Sequence, residues 1–95
     1  MAVGIIMAFK DATLAQYDEV TAKMGMTPGG AGGPGSLFHW VEKTDDGIRV
    51  INVWETKAQF AKFGDEQIGP LMQEVGFPAP PEVTFHEVHN YQTAG

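Results

Sequence analysis

The sequence has no cysteine at all, which excludes disulfides, thiolate zinc centres and thiol nucleophiles in one step. Cations are almost as scarce. Lys10, Lys23, Lys43, Arg49, Lys57 and Lys62 are the only six, no two adjacent, against twelve acidic residues and a formal charge of -6. Nucleic acid and anionic membrane surfaces reward clustered Lys and Arg, so neither is an expected partner. Apolar runs are short as well. None approaches the roughly 20 residues of a spanning helix, and the apolar start Met1–Phe9 lacks the basic flank and the length of an export signal. The expected address is the cytoplasm. What the 95 residues do hold is 43% apolar side chains and twelve glycines, six of them between Gly25 and Gly35. That is one domain's worth of chain, residues 1–95, near the lower end of what folds unaided around a single core.

Val3–Phe9 is apolar at both parities, the pattern of a strand covered on both faces. Thr13 with Gln16 three residues on fits a capping box. Leu14, Tyr17, Val20, Thr21 and Met24 follow at helical spacing, with Gly25 placed just past the helix end. The glycine-rich stretch 25–36 lacks the Gly-x4-Gly-Lys-Ser/Thr spacing of a phosphate cradle and follows a helix rather than a strand. It reads as a flexible crossover or lid. Strands follow at Leu37–Lys43 and Ile48–Trp54, joined by Thr44-Asp45-Asp46-Gly47, with Gly47 at the position expected to need a positive φ.

Thr56 and Gln59 repeat the capping pattern ahead of Phe60 and Phe63. Ile68, Leu71, Met72 and Val75 form a second helical stripe, and Pro70 inside it predicts two helical pieces, with a break or a fresh first turn near Gly69. Gly76 ends the stripe, Pro78–Pro81 is a stiff connector, Glu82–Tyr91 reads as the last strand and 92–95 as a frayed tail. The order β-α-β-β-α-β is the ferredoxin-like form of an α+β domain, a four-stranded antiparallel sheet with helices on one face. Because the first three strands are apolar at both parities, the other face wants cover. A second copy of the chain, packed sheet to sheet, is the expected partner.

His39, His86 and His89 are the only imidazoles. A neutral His39, mid-strand between Phe38 and Trp40, can serve as general base toward a phenol, or can simply fill the sheet with its nitrogens satisfied. His86 is the second candidate base. With Glu87, His86 and His89 suggest a metal site, but positions three apart on a strand face opposite ways, so no metal is expected. Asn52 is the odd polar residue among Ile51, Val53 and Trp54, and a buried amide needs a partner, either a substrate oxygen or a neighbouring group. Trp54 and Trp40 are candidate pocket walls, and Tyr17 can turn its hydroxyl into the gap between sheet and helices. Which of these meet depends on the hairpin register. A bulged turn at Asp45-Asp46-Gly47 sets Trp40 opposite Asn52 and His39 opposite Val53, uniting Trp40, Asn52 and Trp54 while sending His39 to the other face. A two-residue Asp46-Gly47 turn instead sets His39 against Trp54 on a shared face. The bulged turn is the favoured expectation.

The segment Asn52-Val53-Trp54-Glu55-Thr56-Lys57-Ala58-Gln59-Phe60 resembles the strand–Trp-Glu-Ser–helix signature of the antibiotic biosynthesis monooxygenase-like proteins of the dimeric α/β-barrel superfamily. The element order resembles that superfamily over nearly the whole chain, and the ending Pro80–Asn90 is similar to that of its small members. Thr56 stands where Ser is usual, and both serve as helix N-caps. The resemblance implies a homodimer with sheets face to face and, in each protomer, a small apolar pocket between sheet and helices with Trp54 in its wall. It also implies oxidation of a planar, polyketide-type aromatic by molecular oxygen without metal, flavin or other cofactor, the substrate's own enolate or phenolate supplying the electron. The expected function is accordingly a small cofactor-independent oxygenase-like protein, with His39 or His86 as base and Asn52, Trp54, Trp40 and Tyr17 around the substrate. The alternative is a non-catalytic homodimer that binds a small apolar ligand or serves as a pathway accessory.

Overall fold

The computed structural model describes residues 2–27 and 29–93. Strand β1 spans Val3–Lys10, helix α1 Leu14–Lys23, β2 Ser36–Lys43 and β3 Gly47–Trp54. Helix α2 covers Lys57–Phe63, a π-helical turn Gly64–Ile68, helix α3 Gly69–Val75 and strand β4 Glu82–Glu87. All neighbours in the sheet are antiparallel, in the order β2-β3-β1-β4. This is the ferredoxin-like α+β arrangement that the element order implied.

Local chemistry sets the ends of α1. The Thr13 hydroxyl accepts from Gln16 N while the Gln16 side chain accepts from Thr13 N, a complete capping box. At the other end Gly25 takes φ +75, so that Gly25 N reaches Ala22 O and Met26 N reaches Thr21 O, both at 3.0 Å. The second helical stretch falls into two α-helical pieces, α3 starting afresh at Gly69 with Pro70 in its first turn, as expected. The finding beyond that expectation is the π-helical turn that joins the two pieces without a gap. Pro70 has no N–H to continue the ordinary ladder, and Gly69 N reaches back to Gly64 O, five residues away. Strand β4 is shorter than expected, ending at Glu87 rather than Tyr91. The ladder with β1 ends at the pair Val3–Glu87, and a single further bond, Val88 N to Ala2 O at 3.3 Å, follows it. Of the expected tail, Gln92 and Thr93 carry no regular structure, and 94–95 lie outside the described residues.

The hairpin overturns the favoured register. Thr44 N donates to Gly47 O, and the turn residues are Asp45 and Asp46. His39 therefore stands opposite Asn52 and Trp40 opposite Ile51. Gly47 is not at positive φ; it is drawn into β3 opposite Lys10, where a Cβ would collide with the Phe9 carbonyl. A glycine required by close approach to β1 cannot also serve as a turn residue, so the turn falls before it. Asp46 O then accepts from Asp11 N at 2.6 Å, tying the hairpin to the end of β1.

This register sorts the sheet into two unlike faces. Ile5, Met7, Phe9, Ile48, Val50, Asn52 and Trp54 point toward the helices and are buried. Tyr17, Phe60, Phe63, Met72 and Phe77 close over them. Ile6, Phe38, Trp40, Ile51 and Val53 occupy the opposite face, where nothing covers them among the described residues; Phe38 is 47% exposed and Trp40 42%. No helix is long and apolar enough to cross a membrane, among the described residues.

Candidate functional site

Between the helix-side face of the sheet and α1, α3, the π-helical turn and the glycine-rich loop lies a cavity of about 70 Å³. Its walls are apolar, and Met7, Met24, Met26 and Met72, every methionine after Met1, contribute to them. A methionine wall is polarisable and can adjust to a flat ring laid against it. Phe9, Phe63 and Phe77 add aromatic edges, with Phe9 and Phe77 meeting edge to face at 5.3 Å between centroids.

The polar groups in this cavity are few and converge. Trp54, 3% exposed, lies between Phe60 and Phe63, yet its indole Nε1–H is buried without a hydrogen-bond partner. Asn52, 7% exposed, has a single side-chain hydrogen bond among the described residues, from Nδ2 to Ile5 O at 3.4 Å. His39 projects beside them from the adjacent strand, and burial pushes its imidazole below the ordinary histidine pKa. Tyr17 and Thr21 enter from α1. Burial first, and the charge of Asp18 second, hold the Tyr17 phenol above its usual pKa, so it stays protonated at neutral pH.

The cavity opens into a larger groove of about 800 Å³ between α1, the loop Gly29–Gly33 and strand β2. Tyr17, Ser36, His39, Gly32 and Gly33 border both spaces. The inner cavity has about half the volume of the ~150 Å³ apolar cavity that takes up a benzene ring. A ring-sized ligand therefore has to occupy cavity and groove together. The loop makes this opening possible because it carries almost no side chains. At Gly33 a Cβ would sit 2.5 Å from the Phe63 ring, and at Gly32 2.8 Å from Ser36 Oγ.

Of the residues singled out in the sequence, His39, Asn52, Trp54 and Tyr17 are brought together at this cavity. Trp40 and His86 are not. Trp40 sits on the opposite sheet face, opposite Ile51, and reaches only the outer groove. His86 is also on that face, exposed, its Nε2 2.9 Å from Thr84 Oγ1. His89 lies past the end of β4 beside Glu87 and Tyr91, in a separate surface hollow. No group of three His, Asp or Glu side chains able to hold a metal occurs among the described residues. Sequence reasoning missed Ser36. A β-bulge between Ser36 and Phe38 sets Ser36 opposite Trp54, turning it to the helix side, and no residue pattern announces that bulge.

No family model and no curated protein matches the sequence. Among solved structures the chain matches the monooxygenase from the gene ActVA-Orf6 of Streptomyces coelicolor, in complex with the ligand nanaomycin D. The match has a TM-score of 0.52 and 20% identity over 99% of this chain and 92% of that one. The chain thus has the antibiotic biosynthesis monooxygenase-like fold, the arrangement that the strand–Trp–Glu–Thr–helix segment resembles.

Proposed function

We propose that the protein is a small, cofactor-independent oxygenase acting on a planar aromatic molecule of polyketide type, held across the cavity and the groove. The observation that carries this reading is that Trp54 lines a largely apolar cavity and has a buried indole N–H with no hydrogen-bond partner. A buried donor left unsatisfied costs about 1–3 kcal/mol, and a ligand oxygen placed there would recover it. An aromatic bearing a carbonyl or phenolic oxygen suits such a site: methionines and phenylalanines against its faces, Trp54 and Asn52 donating to oxygen, a neutral imidazole at the edge. The nanaomycin D held by the monooxygenase of the same fold supports that substrate class.

In this scheme His39 takes the proton from an enol or phenol of the ligand. The resulting anion passes one electron to molecular oxygen, and the radical pair combines to form a C–O bond. For an anthrone-type substrate the hydroperoxide then loses water, leaving one oxygen atom on carbon as a new carbonyl and the other in the water released. The protein supplies the base, two donors to the developing charge, and a dry wall. The apolar sheet face carrying Phe38, Trp40, Ile51 and Val53 supports a homodimer formed through that face.

Oxygen uptake by the purified, metal-free protein with anthrone- and quinol-type compounds tests the reading. Turnover of at least one, abolished by Asn52→Leu, is the expected result. Saturable binding of nanaomycin D with no uptake of oxygen for any compound would leave a ligand-binding protein and remove the oxygenase.

A further inference from the structure

We infer that Ser36 is a positioning residue for His39, its hydroxyl oxygen accepting from Nδ1–H so that Nε2 is the nitrogen left free for a ligand proton. This rests on the role given to His39 above and extends it to a residue that neither the sequence pattern nor the likeness of fold points to.

Two residues three apart on an uninterrupted strand face opposite ways. Here they do not, because the bulge at Leu37 inserts one residue between Ser36 and Phe38. Bulges of this kind re-aim a side chain, and the one here sets Ser36 opposite Trp54 just as His39 is set opposite Asn52. The bulged end is held in place from outside the sheet, Ser36 N donating to Gly33 O at 3.0 Å and Glu55 N to Gly35 O at 2.9 Å. Both side chains then border the same cavity and the same groove.

Gly32 marks where they converge. A Cβ built on Gly32 would lie 2.8 Å from Ser36 Oγ and 3.6 Å from His39 Nδ1. The hydroxyl and that ring nitrogen therefore face one small space, kept open only because residue 32 has no side chain. The two groups are not hydrogen-bonded to each other in this structure, and neither side chain makes a hydrogen bond to any other group among the described residues, which leaves each free to take the other as partner. The titratable and charged groups near the pair are Tyr17, whose burial keeps it protonated, and Asp18, which borders the outer groove alone. No carboxylate lines the cavity among the described residues, and of its neutral acceptors Ser36 Oγ is the one that shares the space at Gly32 with Nδ1. A neutral acceptor fixes the tautomer without drawing the imidazole toward its charged form, which suits a base that has to start neutral.

The experiment is nitrogen-15 NMR of the histidine rings in the full chain above pH 7.5, with His86→Gln and His89→Gln assigning the three sets of signals. Wild type should show His39 Nδ1 protonated and Nε2 bare. Ser36→Ala and Gly32→Ala should both invert that preference, the first by removing the acceptor, the second by wedging a methyl group between the partners. Ser36→Thr should restore it. Where turnover is measurable, Ser36→Ala should lower kcat about tenfold, a fraction of what a general base contributes, and leave KM within about twofold. A wild-type His39 protonated mainly on Nε2, or a tautomer unmoved by Ser36→Ala, overturns the inference. If no compound is oxidised while the tautomer still inverts, the oxygenase reading falls and the Ser36–His39 pair stands.

Discussion

Replacing Trp54 by phenylalanine separates a binding-site indole from an ordinary core aromatic. Truncating a buried aromatic normally destabilises, and Trp54 is buried between Phe60 and Phe63, with ring centroids at 5.8 and 5.4 Å. The exchange removes the indole nitrogen and about two carbons' worth of buried surface, a loss of about 1.6 kcal/mol at the usual value per methylene. It also deletes the one buried polar side-chain atom that has no hydrogen-bond partner among the described residues, which recovers about 1–3 kcal/mol. The two effects oppose, and the net change should lie between about 0.6 kcal/mol destabilising and about 1.4 kcal/mol stabilising. Guanidinium unfolding of wild type and Trp54→Phe measures it. Affinity should move the other way, because a ligand oxygen loses its donor: about 1 kcal/mol, or roughly fivefold weaker binding of nanaomycin D by calorimetry. The chain has only two tryptophans, so the emission left in the variant comes from Trp40, at the outer groove. A variant destabilised by more than 3 kcal/mol with unchanged affinity would refute the reasoning and make Trp54 a packing residue.

Other consequences follow from the same geometry. Burial lowers the folded-state pKa of His39, so the unfolded chain takes up that proton first. Its effect on stability is absent above the unfolded value of about 6.5, appears as a loss when pH falls through it, and levels off below the folded value. Unfolding titrations between pH 8 and 5 should show this slope in wild type and a shallower one in His39→Phe; equal slopes would contradict it. For the open sheet face, wild type should sediment at twice the monomer mass at micromolar concentration, and Trp40→Asp should sediment as a monomer. Gly47→Ala should unfold the chain or cost more than about 3 kcal/mol, since the Phe9 carbonyl occupies the Cβ position. Gly64→Ala, in a helical conformation with open space around it, should be neutral or stabilise by up to about 1 kcal/mol. Thermal denaturation of the two variants side by side tests the contrast.

What could be read from the sequence is what short-range chemistry decides. Thr13 and Gln16 cap each other three residues apart, and Gly25 turns the chain just past the end of α1, so that helix is legible from its own residues. The apolar double parity of Val3–Phe9 and Val50–Trp54 likewise revealed both a buried sheet face and an opposite apolar face. The hairpin register was not legible. It depends on Gly47 meeting the Phe9 carbonyl, a contact between residues far apart in sequence, whereas Asp-Asp-Gly read locally favours a bulged turn. The length of β4 was hidden for a similar reason, because it depends on the register with β1, a strand far earlier in the chain. Within the site, His39, Asn52, Trp54 and Tyr17 stood out as polar or amphipathic residues in apolar company. Ser36 beside a glycine run did not, and Trp40 stood out for a face it does not share with the cavity.

The two irregularities that escaped pattern reading are the ones that shape the cavity. Residues five apart on an α-helix diverge by about 140° around its axis, so Phe63 and Ile68 should not face the same space. Both line the cavity, because the turn Gly64–Ile68 bonds five residues back and carries Ile68 round to the face of Phe63. Across the cavity the bulge at Leu37 does the same for Ser36 and His39. Each inserts one residue into an otherwise regular element, and each leaves the elements on either side in place. The sheet and helices position Asn52 and Trp54 by ordinary alternation. The bulge and the π-helical turn then bring in a hydroxyl from one side and an aliphatic wall from the other, which regular geometry would have turned away. Local departures from periodicity are uncommon unless surrounding structure holds them. Here the bulged end is held by Gly33 O and Glu55 N–H and the helical one by Pro70, so these two segments shape the pocket as much as any single side chain does.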